Sequence, residues 1–186
     1  MNGFKISEFK PKKTAARMKI IEGIVSSLSS SEVFNTVDKE GWKENKIATH
    51  LHNFLRKGME NIFQELHPGQ SEKGIAKRVE KAVLWEGAHN KTISANKIFG
   101  SRHYPDFAVH IKDLKIAVEL KSGEGGSSLR GGIGQSLIYS MDYDFVIYIL
   151  VDSSKDRTAK NNSTGKRESY LIQSLWEQYN IWLEIV

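Results

Sequence analysis

Apolar positions recur along the chain at two spacings, and the change from one to the other falls near residue 92. Before it, residues 14–30 (TAARMKIIEGIVSSLSS) set Met18, Ile21, Val25 and Leu28 three and four apart, which predicts an amphipathic helix. Residues 42–66 repeat the pattern with Ile47, Leu51, Phe54, Leu55, Met59, Ile62 and Phe63, and His-Pro-Gly at 67–69 stops it. Residues 75–87 (IAKRVEKAVLWEG) place Ile75, Val79, Val83 and Leu84 on one side, predicting a third, shorter helix that ends near Gly87.

Beyond residue 92 the apolar positions alternate or run together, as strands require. Strands are predicted at 92–99, 104–111 and 114–121, the last two joined by a tight Lys112-Asp113 connection into a hairpin. A glycine-rich loop (SGEGGSSLRGG, 122–132) follows, then a helix over 133–143 with Ile133, Leu137 and Met141 stacked four apart. The unbroken apolar run FVIYILVD at 145–152 reads as a strand buried on both faces. Strand, helix, strand implies a right-handed crossover and a mixed sheet. Residues 153–169 hold almost nothing apolar and five basic side chains, so an exposed loop is expected there, with a helix and a terminal strand completing 170–186. The expected fold is α/β in a single domain over 1–186: a helical extension at 1–40, then a core at 41–186 that carries the basic loop.

Composition narrows the chemistry. With 186 residues, 39% hydrophobic and 26% charged, the chain can bury a sizeable core. It has no cysteine, which excludes disulfides and cysteine-ligated zinc or iron–sulfur sites and leaves carboxylates, histidines and backbone oxygens as metal ligands. No apolar run approaches the roughly 20 residues of a membrane span, and MNGFKISEFKPKK has no signal-peptide core, so the expectation is a cytoplasmic protein with no membrane partner. The net charge of +5 suits a polyanion without requiring one.

The two hairpin strands carry acids inside otherwise apolar runs. Alternation puts Ala117, Glu119 and Lys121 on one face and Ile116, Val118 and Leu120 on the other, and sets Asp106, Ala108 and His110 against Phe107, Val109 and Ile111. Glu119 and Lys121 are then neighbours, and antiparallel pairing brings Asp106 beside Glu119 on a polar face. Two carboxylates about 4 Å apart repel by about 4 kcal/mol at an effective dielectric near 20, so such a pair takes up a proton or a cation. A hard divalent ion such as Mg2+ accepts carboxylate oxygens, waters and a backbone carbonyl, here that of Leu120.

Pro105-Asp106, twelve intervening residues and then Glu119-Leu120-Lys121 resemble the PD-(D/E)xK motif of the restriction-endonuclease-like nucleases. Gln135 and Tyr139, one helical turn apart, are similar to the QxxxY element of RecB-type nucleases. The resemblance covers roughly residues 84–152 and implies a core of helix, three strands, helix and strand around a mixed sheet. It further implies Mg2+-dependent phosphodiester hydrolysis, with Mn2+ able to substitute, Asp106 and Glu119 as metal ligands, and Lys121 as base or charge stabiliser. DNA is the favoured substrate over RNA, and a homodimer is compatible with the family. A further acid from an upstream helix is expected: Glu44 first, with Glu80 and Glu86 as rivals. The competing expectation is a catalytically inactive nucleic-acid-binding or assembly module of the same fold.

Ser127, Ser128 and Arg130 in the glycine-rich stretch are candidate phosphate donors, although the order of a P-loop is missing. Lys155 and Arg157, with Lys160, Lys166 and Arg167, suit a backbone-tracking groove, as does the run Lys10, Lys12, Lys13, Arg17 and Lys19; a merely solvated surface fits each equally well. Trp176, Tyr179 and Trp182 could stack bases, but buried packing suits them better. The histidines show no HExxH spacing, and His103, just before Tyr104, is expected at the surface.

Overall fold

A computed structural model describes residues 13–30, 32–35, 43–87, 93–124 and 126–186. Lys10, Lys12, Trp42 and the expected strand start at 92 lie outside these residues. The fold is α/β. Its helices are α1 (Ala15–Leu28), α2 (Glu44–Leu66), α3 (Glu72–Ala82), α4 (Gly126–Tyr139), α5 (Thr158–Asn162) and α6 (Lys166–Tyr179). Its strands are β1 (Val83–Trp85), β2 (Asn96–Ile98), β3 (Ser101–His103), β4 (Phe107–Ile111), β5 (Leu114–Gly123), β6 (Phe145–Asp152) and β7 (Ile181–Ile185).

A mixed five-stranded sheet runs β1-β4-β5-β6-β7, and β2 and β3 form a separate two-stranded ribbon. β1, β4 and β5 pair antiparallel, whereas β5, β6 and β7 pair parallel, with α4 as the connection from β5 to β6. Every residue of β6 is buried, in keeping with a central strand covered on both faces. The hairpin turn between β4 and β5 holds Lys112 in the left-handed region at φ 56°.

One core lies between the sheet and helices α1 to α3, where Ile21, Leu51, Leu55, Met59 and Val79 meet Phe107, Val109, Ile116, Val118 and Leu120. Arg17 ties α1 to the hairpin turn through Asp113 at 2.8 Å and reaches Asp144 at 3.6 Å. A second core on the opposite face joins α4 and α6 to the sheet through Ala108, Ala117, Tyr139, Val146, Tyr148 and Leu175.

Several expectations need correction. The third helix stops at Ala82, and Val83–Trp85 is an edge strand paired with Val109, Ala108 and Phe107. The first strand of the main sheet is therefore β1; the segment expected as that strand contributes only Asn96–Ile98, and to the ribbon. The glycine-rich stretch is mostly helix, because α4 begins at Gly126 and ends at Tyr139, leaving Met141 outside it and 71% exposed. The expected loop at 153–169 contains α5 and the start of α6. Buried Asp152 organises it: its carboxylate accepts from the Ser154 N–H at 3.1 Å, the Ser154 hydroxyl at 2.6 Å and the Lys160 N–H at 3.0 Å. Burial alone would raise the Asp152 pKa, yet these donors hold it below the usual carboxylate value.

Candidate active site at the β4–β5 ladder end

Pro105 decides where the β4–β5 ladder ends. The last ladder pair at this end is Phe107 opposite Val118, and one step further stand Asp106 and Glu119. Leu120 presents its N–H and C=O toward the position that residue 105 would fill, but a proline has no N–H to give. The Asp106 carboxylate replaces the missing strand as acceptor, taking the Leu120 N–H at 2.7 Å. No hydrogen from Pro105 can reach the Leu120 carbonyl. Asp106, Glu119 and that carbonyl are thus oxygen donors gathered at one ladder end.

The face carrying Glu119 is not a solvated polar face. α4 covers it with Tyr139, and the small Ala108 and Ala117 admit the helix, so Glu119 is 1% exposed. Burial, then the neighbouring Asp106, pushes Glu119 up to about 7, against the opposing pull of Lys121. Burial also raises Asp106 to about 6, opposed by the Leu120 N–H and Lys121. Both acids sit in a site that disfavours their charged forms.

Lys121 Nζ lies 2.8 Å from Glu119 Oε1 and 3.5 Å from Glu44 Oε1. Burial lowers its pKa, but Glu119, Glu44 and Asp106 outweigh this and raise it overall. Glu44 is the first residue of α2, and its Oε2 accepts the Ser122 N–H at 3.2 Å. Of the three acids considered from the upstream helices, Glu44 is therefore the one joined to Lys121. Glu86 follows β1 and donates its N–H to the Asp106 carbonyl at 3.1 Å, while Glu80 is exposed on α3. A cleft of about 600 Å3, lined by Asn45, Lys46, Thr49, Trp85, Glu86 and Asp106, opens beside this acid.

Gln135 and Tyr139 share a face of α4, with Gln135 half-buried and Tyr139 buried. The Tyr139 hydroxyl donates to the Tyr104 carbonyl at 2.7 Å, fixing the residue that precedes Pro105-Asp106. Burial and the nearby Glu119 and Asp106 raise the Tyr139 pKa, so it acts as a neutral donor. Tyr148, opposite Glu119 on β6, was not a sequence candidate; its hydroxyl donates to the Ser128 carbonyl at 3.0 Å. Only its place within the apolar run FVIYILVD marked it, as a hydroxyl-bearing residue among aliphatics.

Ser127, Ser128 and Arg130 lie on the first turns of α4, just beyond the end of β5. Lys155 is exposed. Arg157 is held instead by the strand ends, donating from Nη1 to the Asp152 and Val186 carbonyls at 2.7 and 3.3 Å. Trp176 and Trp182 pack edge to face at 5.5 Å, with the Lys13 ammonium 4.2 Å above the Trp176 ring, so these rings are not a free stacking surface.

The donor set of Asp106, Glu119 and the Leu120 carbonyl consists of hard oxygens and suits a hard divalent cation rather than a soft one. Among the described residues, no group of three or more His, Asp or Glu side chains is gathered to hold a metal ion. No described helix is long and apolar enough to cross a membrane. Compared with models of known protein families, with curated proteins and with solved structures, the chain matches none.

Proposed function

We propose that this chain is a divalent-metal-dependent nuclease of the restriction-endonuclease-like type, hydrolysing phosphodiester bonds in nucleic acid, with DNA preferred. The observation that carries this reading is the pair Asp106 and Glu119 at the proline-terminated ladder end, with Lys121 2.8 Å from Glu119. A buried carboxylate beside a half-buried one gains most from a partner that brings positive charge. Asp106, Glu119 and the Leu120 carbonyl would hold Mg2+ or Mn2+. Such an ion lowers the pKa of a bound water and stabilises charge developing on a phosphate.

The protein's own groups have separable tasks. Lys121, braced between Glu119 and Glu44, carries a fixed positive charge toward the phosphate and can orient a water through its N–H groups. Glu44 positions Lys121 from α2. Tyr139 holds the Tyr104 carbonyl and thereby the backbone entering Asp106. Gln135, on the same face of α4, is the adjacent polar group available to substrate. Burial beneath α4 excludes bulk water from Glu119 and strengthens each of these interactions.

The test is a Mg2+-dependent cleavage assay on single-stranded, duplex and branched DNA and on RNA. Glu119→Ala and Lys121→Ala should each lower the rate at least about 100-fold, as expected when an electrostatic stabiliser is removed. Undiminished cleavage in both variants sinks the site. Binding without cleavage by the native protein assigns instead an inactive nucleic-acid-binding module.

A further inference from the structure

The ribbon leading into Asp106 contains three local choices that folding alone does not favour. β2 and β3 pair Asn96 with His103, Lys97 with Arg102 and Ile98 with Ser101, and the turn between them is Phe99-Gly100. Both turn residues are left-handed, at φ 47° and 80°. Such two-residue turns favour Asn-Gly, because a bulky side chain is strained in this region. Phe99 occupies the position nonetheless. It is also 100% exposed, so its ring gains nothing from burial in the protein. One pair further down, below Ile98 and Ser101, Lys97 and Arg102 face each other, an unfavourable like-charge pair. Among the described residues neither cation has an ion-pair partner.

The ribbon is anchored at its base and free at its tip. Asn96, 5% exposed, donates from Nδ2 to Asp142 Oδ2 at 2.7 Å. At the other strand, only Tyr104 and Pro105 separate His103 from Asp106, and the Tyr104 carbonyl is held by Tyr139. An exposed aromatic ring at the tip of a ribbon that carries two cations and leads to a carboxylate site matches a ligand with a flat apolar face and flanking negative charge. Local rules broken together at one place mark a working surface.

We propose that residues 96–103 form a stacking finger. Phe99 stacks on an unpaired nucleobase while Lys97 and Arg102 meet the flanking phosphates, so the chain selects nucleic acid with unpaired bases, such as single strands and flaps, over continuous duplex. This rests on the nuclease reading and specifies its substrate class. In an intact duplex each internal base is covered by its neighbours, and a single ring finds a face only where a step is open. Asp106 stands seven positions after Phe99, at most about 23 Å away at strand rise. At about 3.4 Å per stacked nucleotide, cutting falls within about seven nucleotides of the unpaired base. A second copy of the chain is disfavoured as occupant, because two such tips would bring four cations together.

The experiment measures binding of the full chain to fluorescein-labelled single-stranded, flap and blunt-duplex oligonucleotides by anisotropy in EDTA, so that cleavage plays no part. Wild type should prefer single strand and flap over duplex by about 10-fold, the scale of one base stack. Phe99→Asn supplies the residue that the turn favours, so it keeps the ribbon and should not lower Tm, but it should remove that preference. Phe99→Trp should retain it. Lys97→Ala and Arg102→Ala should weaken binding to all three probes and each reduce the salt slope by about one. Equal binding by wild type and Phe99→Asn, no preference in wild type, or self-association abolished by Phe99→Asn each overturns the finger. Phe99-dependent binding without any cleavage leaves the finger standing and removes the nuclease reading. Cleavage unaffected by Phe99→Asn does the reverse, and no binding to any probe removes both.

Discussion

Glu119 sits in an environment that opposes its charge. Its pKa is pushed from 4.5 up to about 7, first by burial and then by Asp106. A carboxyl whose pKa rises on folding binds more protons in the folded than in the unfolded state. Stability is therefore highest below about pH 4.5 for this group and falls as pH climbs to about 7. The metal-free protein should lose on the order of 3 kcal/mol across that window through Glu119, and Glu119→Gln should flatten the loss. His110, whose pKa burial and then Lys115 lower, contributes with the opposite sign. Urea unfolding of wild type and Glu119→Gln at pH 5 and pH 8, compared as a difference, cancels His110 and reports the coupled Asp106–Glu119 pair. Parallel pH profiles would reject the buried, ionisable Glu119 described here.

Among the elements, α4 closes the site, and its glycines are not equivalent. A Cβ at Gly132 would run into the Tyr148 ring, whereas Gly134 faces open space. Close approach of α4 to β6 at Gly132 lets the helix lie over Glu119 with Tyr148 beneath it. Gly132→Ala should destabilise by about 1–3 kcal/mol through overpacking, and Gly134→Ala should stabilise by up to about 1 kcal/mol through helix propensity. Thermal unfolding of the two variants checks the contrast, and an equal response in both would show that α4 does not press on Tyr148. The glycine content of 122–132 reads as a loop because glycine lowers local helix propensity. Contact with the sheet overrides that preference. Val83 tells a related story: the spacing Ile75, Val79, Val83 continues a helical face, yet Val83 pairs opposite Val109 at the sheet edge. Periodicity over so few residues cannot register an edge strand, since the deciding partner lies 26 positions away.

For the molecule as a whole, a cation at Asp106 and Glu119 should act as a folding ligand. Binding to the folded state alone stabilises by about 1.4 kcal/mol at ten times the dissociation constant. For a chain of this size that corresponds to a rise in Tm of about 3–6 °C. Scanning calorimetry at pH 8 with and without Mg2+ should show this rise in wild type and lose it in Asp106→Asn. An unchanged wild-type Tm at saturating Mg2+ would remove the metal site. The sequence by itself determined the alternation that puts Glu119 and Lys121 on one face of β5, because strand periodicity is a property of neighbouring residues; that Asp106 lies beyond β4 with its carboxylate on the Leu120 N–H was decided by the tertiary structure. The sequence also marked the β4–β5 hairpin, a helix after it and the buried strand at 145–152. Only the tertiary structure decided that this side is sealed by α4, that Glu44 reaches Lys121 from α2, that β1 borders the sheet, and that Asp152 folds the polar segment after β6. Each of these depends on partners remote along the chain, whose approach is set by packing and register; local pattern carries no record of either.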